Sequence, residues 1–99
     1  MGALAQRSQV DIELAVFSRS DARPSQFVRH LCAGYPYAFS AKKLMGFCGF
    51  TSHRGPLTPF VEFINMVNRI NRTIAPLGWK VVRTGGTPDD EYWLSPVAG

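Results

Sequence analysis

Cysteines, acidic residues and long apolar runs are all scarce in this chain, and each scarcity removes a class of protein. Two cysteines among 99 residues are too few for the disulfide framework of a small secreted domain. Cys32 and Cys48 stand in apolar settings, HLCAG and GFCGF, and form no CxxC pair. Two buried, reduced thiols are therefore expected, with a single disulfide as the alternative. No apolar run approaches the roughly 18 residues of a membrane span. The opening MGALAQR has no apolar signal core, and Gln6 stands where a myristoylation motif needs Ser or Thr. A cytoplasmic location is the expectation. Asp and Glu total 7 against 11 Lys and Arg, a net charge of +4. That excess suits a polyanionic partner without requiring one.

The usual catalytic and metal patterns are missing too. Gly85-Gly86 stands alone and makes no phosphate loop, and no Ser-His-Asp or Cys-His arrangement is visible. The spacing of His30, Cys32, Cys48 and His53 fits no structural zinc pattern. Asp89, Asp90 and Glu91 read as a solvated turn. No catalytic residue, cofactor or metal is expected. Asn71-Arg72-Thr73 spells a glycosylation sequon, read as accidental because it falls inside a helix of a non-secreted chain. Neither an internal repeat nor a low-complexity segment appears.

What is present is an ordinary globular composition, 45% apolar and 18% charged, which predicts one domain over residues 10–96 after a flexible lead-in, 1–9. Val10 to Phe17 alternates, with Val10, Ile12, Leu14 and Val16 on one side and Asp11 and Glu13 on the other. This predicts a half-buried strand; Glu, Leu and Ala leave a short helix as the alternative. Pro24 suits a first helical position, and Phe27, Val28, Leu31 and Cys32 recur at helical spacing until Gly34 and Pro36. Tyr37 to Phe39 makes a brief extended step. Ser40 then caps a second helix with Ala41, Leu44, Met45 and Phe47 inward and Lys42 and Lys43 outward. Residues 49–57 read as a loop.

A long helix follows, capped by Thr58, with Pro59 in its first turn. At about 100° per residue, Phe60, Phe63, Ile64, Val67, Ile70 and Ile74 share one arc, and Val61, Asn65, Asn68, Arg69 and Arg72 lie opposite. Pro76 ends this helix at Ala75. Trp79 to Arg83 and Glu91 to Leu94 read as the two strands of a hairpin. Trp79, Trp93, Tyr92, Phe60 and Phe63 are expected to form the core beneath it. The predicted class is α+β: three helices, a C-terminal β-hairpin wing and an N-terminal strand.

In that order the residues resemble the winged-helix effector domain of OmpR-type response regulators. Arg23-Pro24-Ser25-Gln26-Phe27 is similar to the family's TPxEF, and Ser40 with Leu44 to its Ser-x-x-x-Leu. Val67 to Ile74, VNRINRTI, resembles ISRLRRKL. Val81 to Gly86, with Tyr92-Trp93-Leu94, resembles TVRGxGYRL. The likeness spans roughly residues 23 to 95 through loose motifs, and it implies a DNA-binding winged helix-turn-helix. The chain departs from the family at Asn71, where a basic residue is usual, and in the acidic wing Asp89, Asp90 and Glu91. No receiver domain precedes the likeness, so regulation by phosphorylation is not carried over.

The chemistry of the long helix fits that implication. Arg pairs with guanine, Asn with adenine, and either binds phosphate. The resulting expectation is a bacterial or phage-type transcriptional regulator, or its DNA-binding domain, that docks residues 60–75 in the major groove of double-stranded DNA. Asn65, Asn68, Arg69 and Arg72 would contact bases or phosphates from the helix, with Lys42, Lys43, Arg54, Lys80 and Arg83 as positioning contacts. The rival is a winged-helix module that binds protein or pairs as a homodimer through the Val10–Phe17 strand edge. The acidic wing favours that rival.

Overall fold

The structure, a computed structural model, describes residues 9–50, 57–85 and 90–97. Among them, four helices and three strands run in the order α1 (Gln9–Val16), α2 (Arg23–Ala33), β1 (Phe39–Ser40), α3 (Ala41–Cys48), α4 (Leu57–Ile74), β2 (Trp79–Arg83) and β3 (Glu91–Pro96). The strands make one antiparallel sheet in the order β1–β3–β2. The class is α+β, as expected.

The N-terminal strand expected over Val10–Phe17 is a helix instead. Its inward positions are Gln9, Ile12, Glu13 and Val16, a helical i, i+3, i+4, i+7 stripe. Two of those four are polar, which hides the helical period and leaves a false alternation of apolar residues. Glu13 earns its inward place through a 2.7 Å contact with the Arg29 guanidinium, which ties α1 to α2. Gln9, expected within the lead-in, opens this helix. With no strand here, the edge through which two chains were expected to pair does not exist.

Helix α2 starts on Arg23, with Pro24, expected at its first position, as its second residue. The Asp21 carboxylate accepts hydrogen bonds from the Arg23 backbone N–H at 3.1 Å and from its guanidinium at 2.8 and 2.9 Å. These bonds hold the Asp21 carboxyl below its ordinary range. At the other end Gly34 lies so close to the Phe39 ring that a Cβ there would overlap it. Ser40 caps α3 as predicted, its hydroxyl accepting from the Lys43 N–H at 3.2 Å. Gly49, at φ 80°, closes that helix in the left-handed conformation. The Phe50 N–H then bonds the Met45 carbonyl at 2.8 Å, and Phe50 drops into the core.

Helix α4 runs for 18 residues, about 27 Å. It begins at Leu57, so Thr58 lies inside its first turn and is not its cap. It stops at Ile74, one residue before the predicted end, and passes through a 3-10 turn, Ala75–Leu77, that contains Pro76. Phe63, Met66, Val67, Ile70 and Ile74 are buried, while Phe60 and Ile64 are half-buried. The buried stripe is thus turned toward Met66, because α1 packs on that side of α4. Trp79, Val81, Tyr92 and Leu94 close the core from the sheet. Trp93, expected among them, is half-buried opposite Val82 on the outer face.

Both cysteines are free; Cys48 is buried and Cys32 half-buried. Burial pushes the Cys48 thiol from its ordinary 9.0 to about 11. At pH 8 the folded chain should therefore be alkylated at Cys48 roughly a hundredfold more slowly than the unfolded chain. Above pH 9 the unfolded chain gives up a proton that the folded chain keeps, so stability should fall from pH 9 toward about 11. Iodoacetamide kinetics with and without denaturant, followed by mass spectrometry, measures the first effect. Equal rates would show that Cys48 is not enclosed.

Candidate nucleic-acid interface

The outward face of α4 is set by what its opposite face must bury. With Phe63, Met66, Val67, Ile70 and Ile74 turned inward, Val61, Asn65, Asn68, Arg69 and Arg72 are all exposed. Val61 is 54% exposed, an apolar contact at the start of an otherwise polar ridge. Among the described residues, no ion pair or hydrogen bond engages the side chains of Asn65, Asn68, Arg69 or Arg72. A solvated ridge of amides and guanidiniums is the result, with its donors and acceptors free to turn.

The ridge is not uniform. Asn65 lies with Phe60, Val61 and Ile64 around a shallow hollow of about 220 Å³, and Arg83 from the end of β2 closes the other side. The hairpin thus brings one strand cation beside the helix face. Arg69 leans the other way, toward the connection between α1 and α2. Lys80 is three residues from Arg83 on the same strand, so the alternation of a strand places the two on opposite faces of the sheet. Lys42 and Lys43 project from the exposed side of α3, which packs on α2 and β1. Arg54 lies outside the described residues. Of the nine residues predicted for DNA contact, the fold groups Asn65, Asn68, Arg72 and Arg83, sets Arg69 at the margin, and leaves the lysines elsewhere.

Arg83 has a second neighbour. It stands opposite Tyr92 in the ladder, and its guanidinium is close to the buried Tyr92 hydroxyl, which meets no partner among the described residues at full hydrogen-bond geometry. Burial raises the pKa of that hydroxyl, and the nearby Arg83 charge only partly offsets the rise. Close by, Asp90 is half-buried beside Gly85, and its carbonyl accepts from the Ala41 N–H at 2.8 Å. Negative charge is therefore built into the base of the hairpin. The acidic tip residue Asp89 lies outside the described residues.

One residue of α4 acts inwardly in a way the sequence did not reveal. In the sequence Asn71 stands out as an accidental sequon and as a missing basic residue. Its Oδ1 accepts from the Val81 N–H at 2.7 Å and its Nδ2 donates to the Val81 carbonyl at 3.1 Å. The amide occupies the outer edge of β2, where a fourth strand would otherwise bond. This contact fixes the hairpin to the helix and so sets the position of Arg83 relative to Asn65. Asn71→Ala would leave two backbone groups of a buried residue without partners and should cost about 2 kcal/mol. Urea unfolding measures it, and a loss under about 0.5 kcal/mol would mean that water replaces the amide freely. An Asn inside a helix that precedes a strand is the only sequence signal, and it is weak.

His30 stacks on Phe47 with ring centroids 4.0 Å apart, and His53 lies outside the described residues. No group of three metal-binding side chains occurs among the described residues. No helix there is long and apolar enough to cross a membrane. Compared with family models, with curated proteins and with solved structures, the chain matches none.

Proposed function

We propose that the chain is a DNA-binding domain of the winged-helix class, serving transcriptional regulation, with α4 as the helix that enters the major groove. Support for the class comes from order and topology. From α2 onward the elements run helix, strand, helix, helix, strand, strand, and the short β1 pairs with β3 rather than β2. Helix α1 is then an addition that braces α2 and α4 from outside.

The observation that carries the functional reading is the ridge of α4. Asn65, Asn68 and Arg72 stand exposed and unengaged, with Arg83 brought beside Asn65. An asparagine amide matches the donor and acceptor on the adenine edge, and a guanidinium matches the two acceptors of guanine. Arg69 and Arg83 at the two margins are placed to hold the phosphates that flank a groove. The wing takes no part in this reading beyond Arg83, because Asp90 and Glu91 would repel phosphate at close range.

The test is residue-resolved. Titrating the ¹⁵N-labelled chain with a mixed-sequence duplex at low salt should shift the amides of Asn65, Asn68, Arg72 and Arg83. Shifts confined to α1, or none, would sink the proposal. A second reading, contact with protein, is favoured by α1: Val10, Leu14 and Phe17 are 63%, 64% and 56% exposed along one helical stripe. Sedimentation at two concentrations separates self-association through that stripe from a monomer that binds DNA.

A further inference from the structure

A hollow lies on the far side of α4 from Arg83, where the α1–α2 connection crosses the helix. It holds about 440 Å³, within the range of sites that take small molecules. Val16, Pro24, Met66 and Ile70 supply an apolar floor. Ser18, Ser20 and Arg69 stand on the rim.

Charge decides what such a hollow accepts. Asp21 also lines it, but its carboxylate is already engaged by Arg23 through two guanidinium contacts of 2.8 and 2.9 Å. No ion pair engages Arg69 among the described residues. Arg69 thus makes no short ion pair, though its charge still acts on Asp21 from a distance, and it stands at the mouth of an apolar floor. Of the Ser18 and Ser20 hydroxyls, 2.9 Å apart and bonded to each other, the one that accepts keeps its own proton to donate outward. A neutral ligand would leave Arg69 unanswered. A dianion such as phosphate would meet Asp21 and gain nothing from the floor.

We propose that this hollow binds a small apolar monocarboxylate, with its carboxylate on Arg69 and that serine hydroxyl and its body against Met66, Ile70 and Val16. The proposal deepens the DNA-binding reading at one residue only. Arg69 also borders the outward ridge of α4, so an occupant draws one cation away from that ridge. Binding itself requires no DNA.

The test uses 4-phenylbutyrate and its uncharged amide, 4-phenylbutyramide, each titrated into the ¹⁵N-labelled full chain without nucleic acid. The carboxylate should give saturable shifts at Ser18, Ser20, Arg69 and Thr73, and should bind about fivefold or more tightly than the amide. Arg69→Gln, an exposed and unengaged position that the fold does not depend on, should bring the two within about twofold, while Arg69→Lys should keep part of the difference. Three results would overturn the proposal: no saturable shift up to about 10 mM, equal binding of acid and amide, or shifts centred on Val10, Leu14 and Phe17. Since no DNA is present, failure of the DNA-binding reading would leave this result intact.

Discussion

Replacing Phe63 with Ala should lower the stability of the fold by about 4 kcal/mol, within the 3–5 kcal/mol usual for emptying an aromatic core site. Phe63 is fully buried. Its ring meets those of Phe27, Phe50 and Tyr92 edge-on, with centroids 5.6, 5.6 and 5.4 Å away. Those partners come from α2, from the second residue after α3, and from β3, so one side chain joins the helical layer to the sheet. Arg23 lies 4.6 Å over the Phe50 ring and limits how far that ring can move to refill the space. A domain of this size has about 5–15 kcal/mol in total, so the variant should keep about 1–11 kcal/mol and unfold at a clearly lower urea concentration. Urea titration followed by Trp79 and Trp93 fluorescence measures it. A loss under about 1.5 kcal/mol would mean that the layers are joined elsewhere.

The second large effect concerns the ridge of α4. In the DNA-binding reading, Asn68→Ala with Arg72→Ala should weaken duplex binding by about 2–4 kcal/mol, which is roughly thirtyfold to a thousandfold. The same pair should leave unfolding within about 0.5 kcal/mol of the parent, since both side chains are exposed and engage no partner. Arg29→Gln is the matching control. It also removes one positive charge, but from α2, where Arg29 pairs with Glu13. Its effect on binding should stay within about twofold, the size of a long-range charge change. Fluorescence anisotropy reads all three proteins. Equal losses from the control and the double variant would mean that only net charge attracts the duplex.

How far each feature could be read from the chain depended on how local its cause was. The long helix, its stop at Pro76 and the strand WKVVR are written in near-neighbour spacing, as are the cap at Ser40 and the start beside Pro24. Helix α1 was misread because its inward positions include Gln9 and Glu13, and Glu13 is held there by Arg29, sixteen residues away. Met66 was left out of the core because the direction from which α1 packs on α4 cannot be seen within α4 itself. The bond between Asn71 and Val81 spans ten residues and two kinds of element, so no periodicity marks it. The candidate site divides in the same way. The exposed amides and guanidiniums of α4 follow from its buried face, and the turning away of Lys80 from Arg83 follows from strand alternation, whereas the approach of Arg83 to the hollow beside Asn65 needs the tertiary fold.

The most direct test of the central claim is the salt dependence of duplex binding by the full chain, measured by anisotropy from about 20 to 200 mM salt. Arg69, Arg72 and Arg83 are the cations that the fold sets on or beside the α4 ridge. In this reading Arg69 and Arg83 hold phosphates while Arg72 reads a base, so neutralising about two phosphates predicts that log K falls against log salt with a slope near −1.8, and that Arg69→Ala reduces the slope by about 1. No binding at the lowest salt, or a slope unchanged in Arg69→Ala, would contradict the assignment of α4 as the DNA-binding helix.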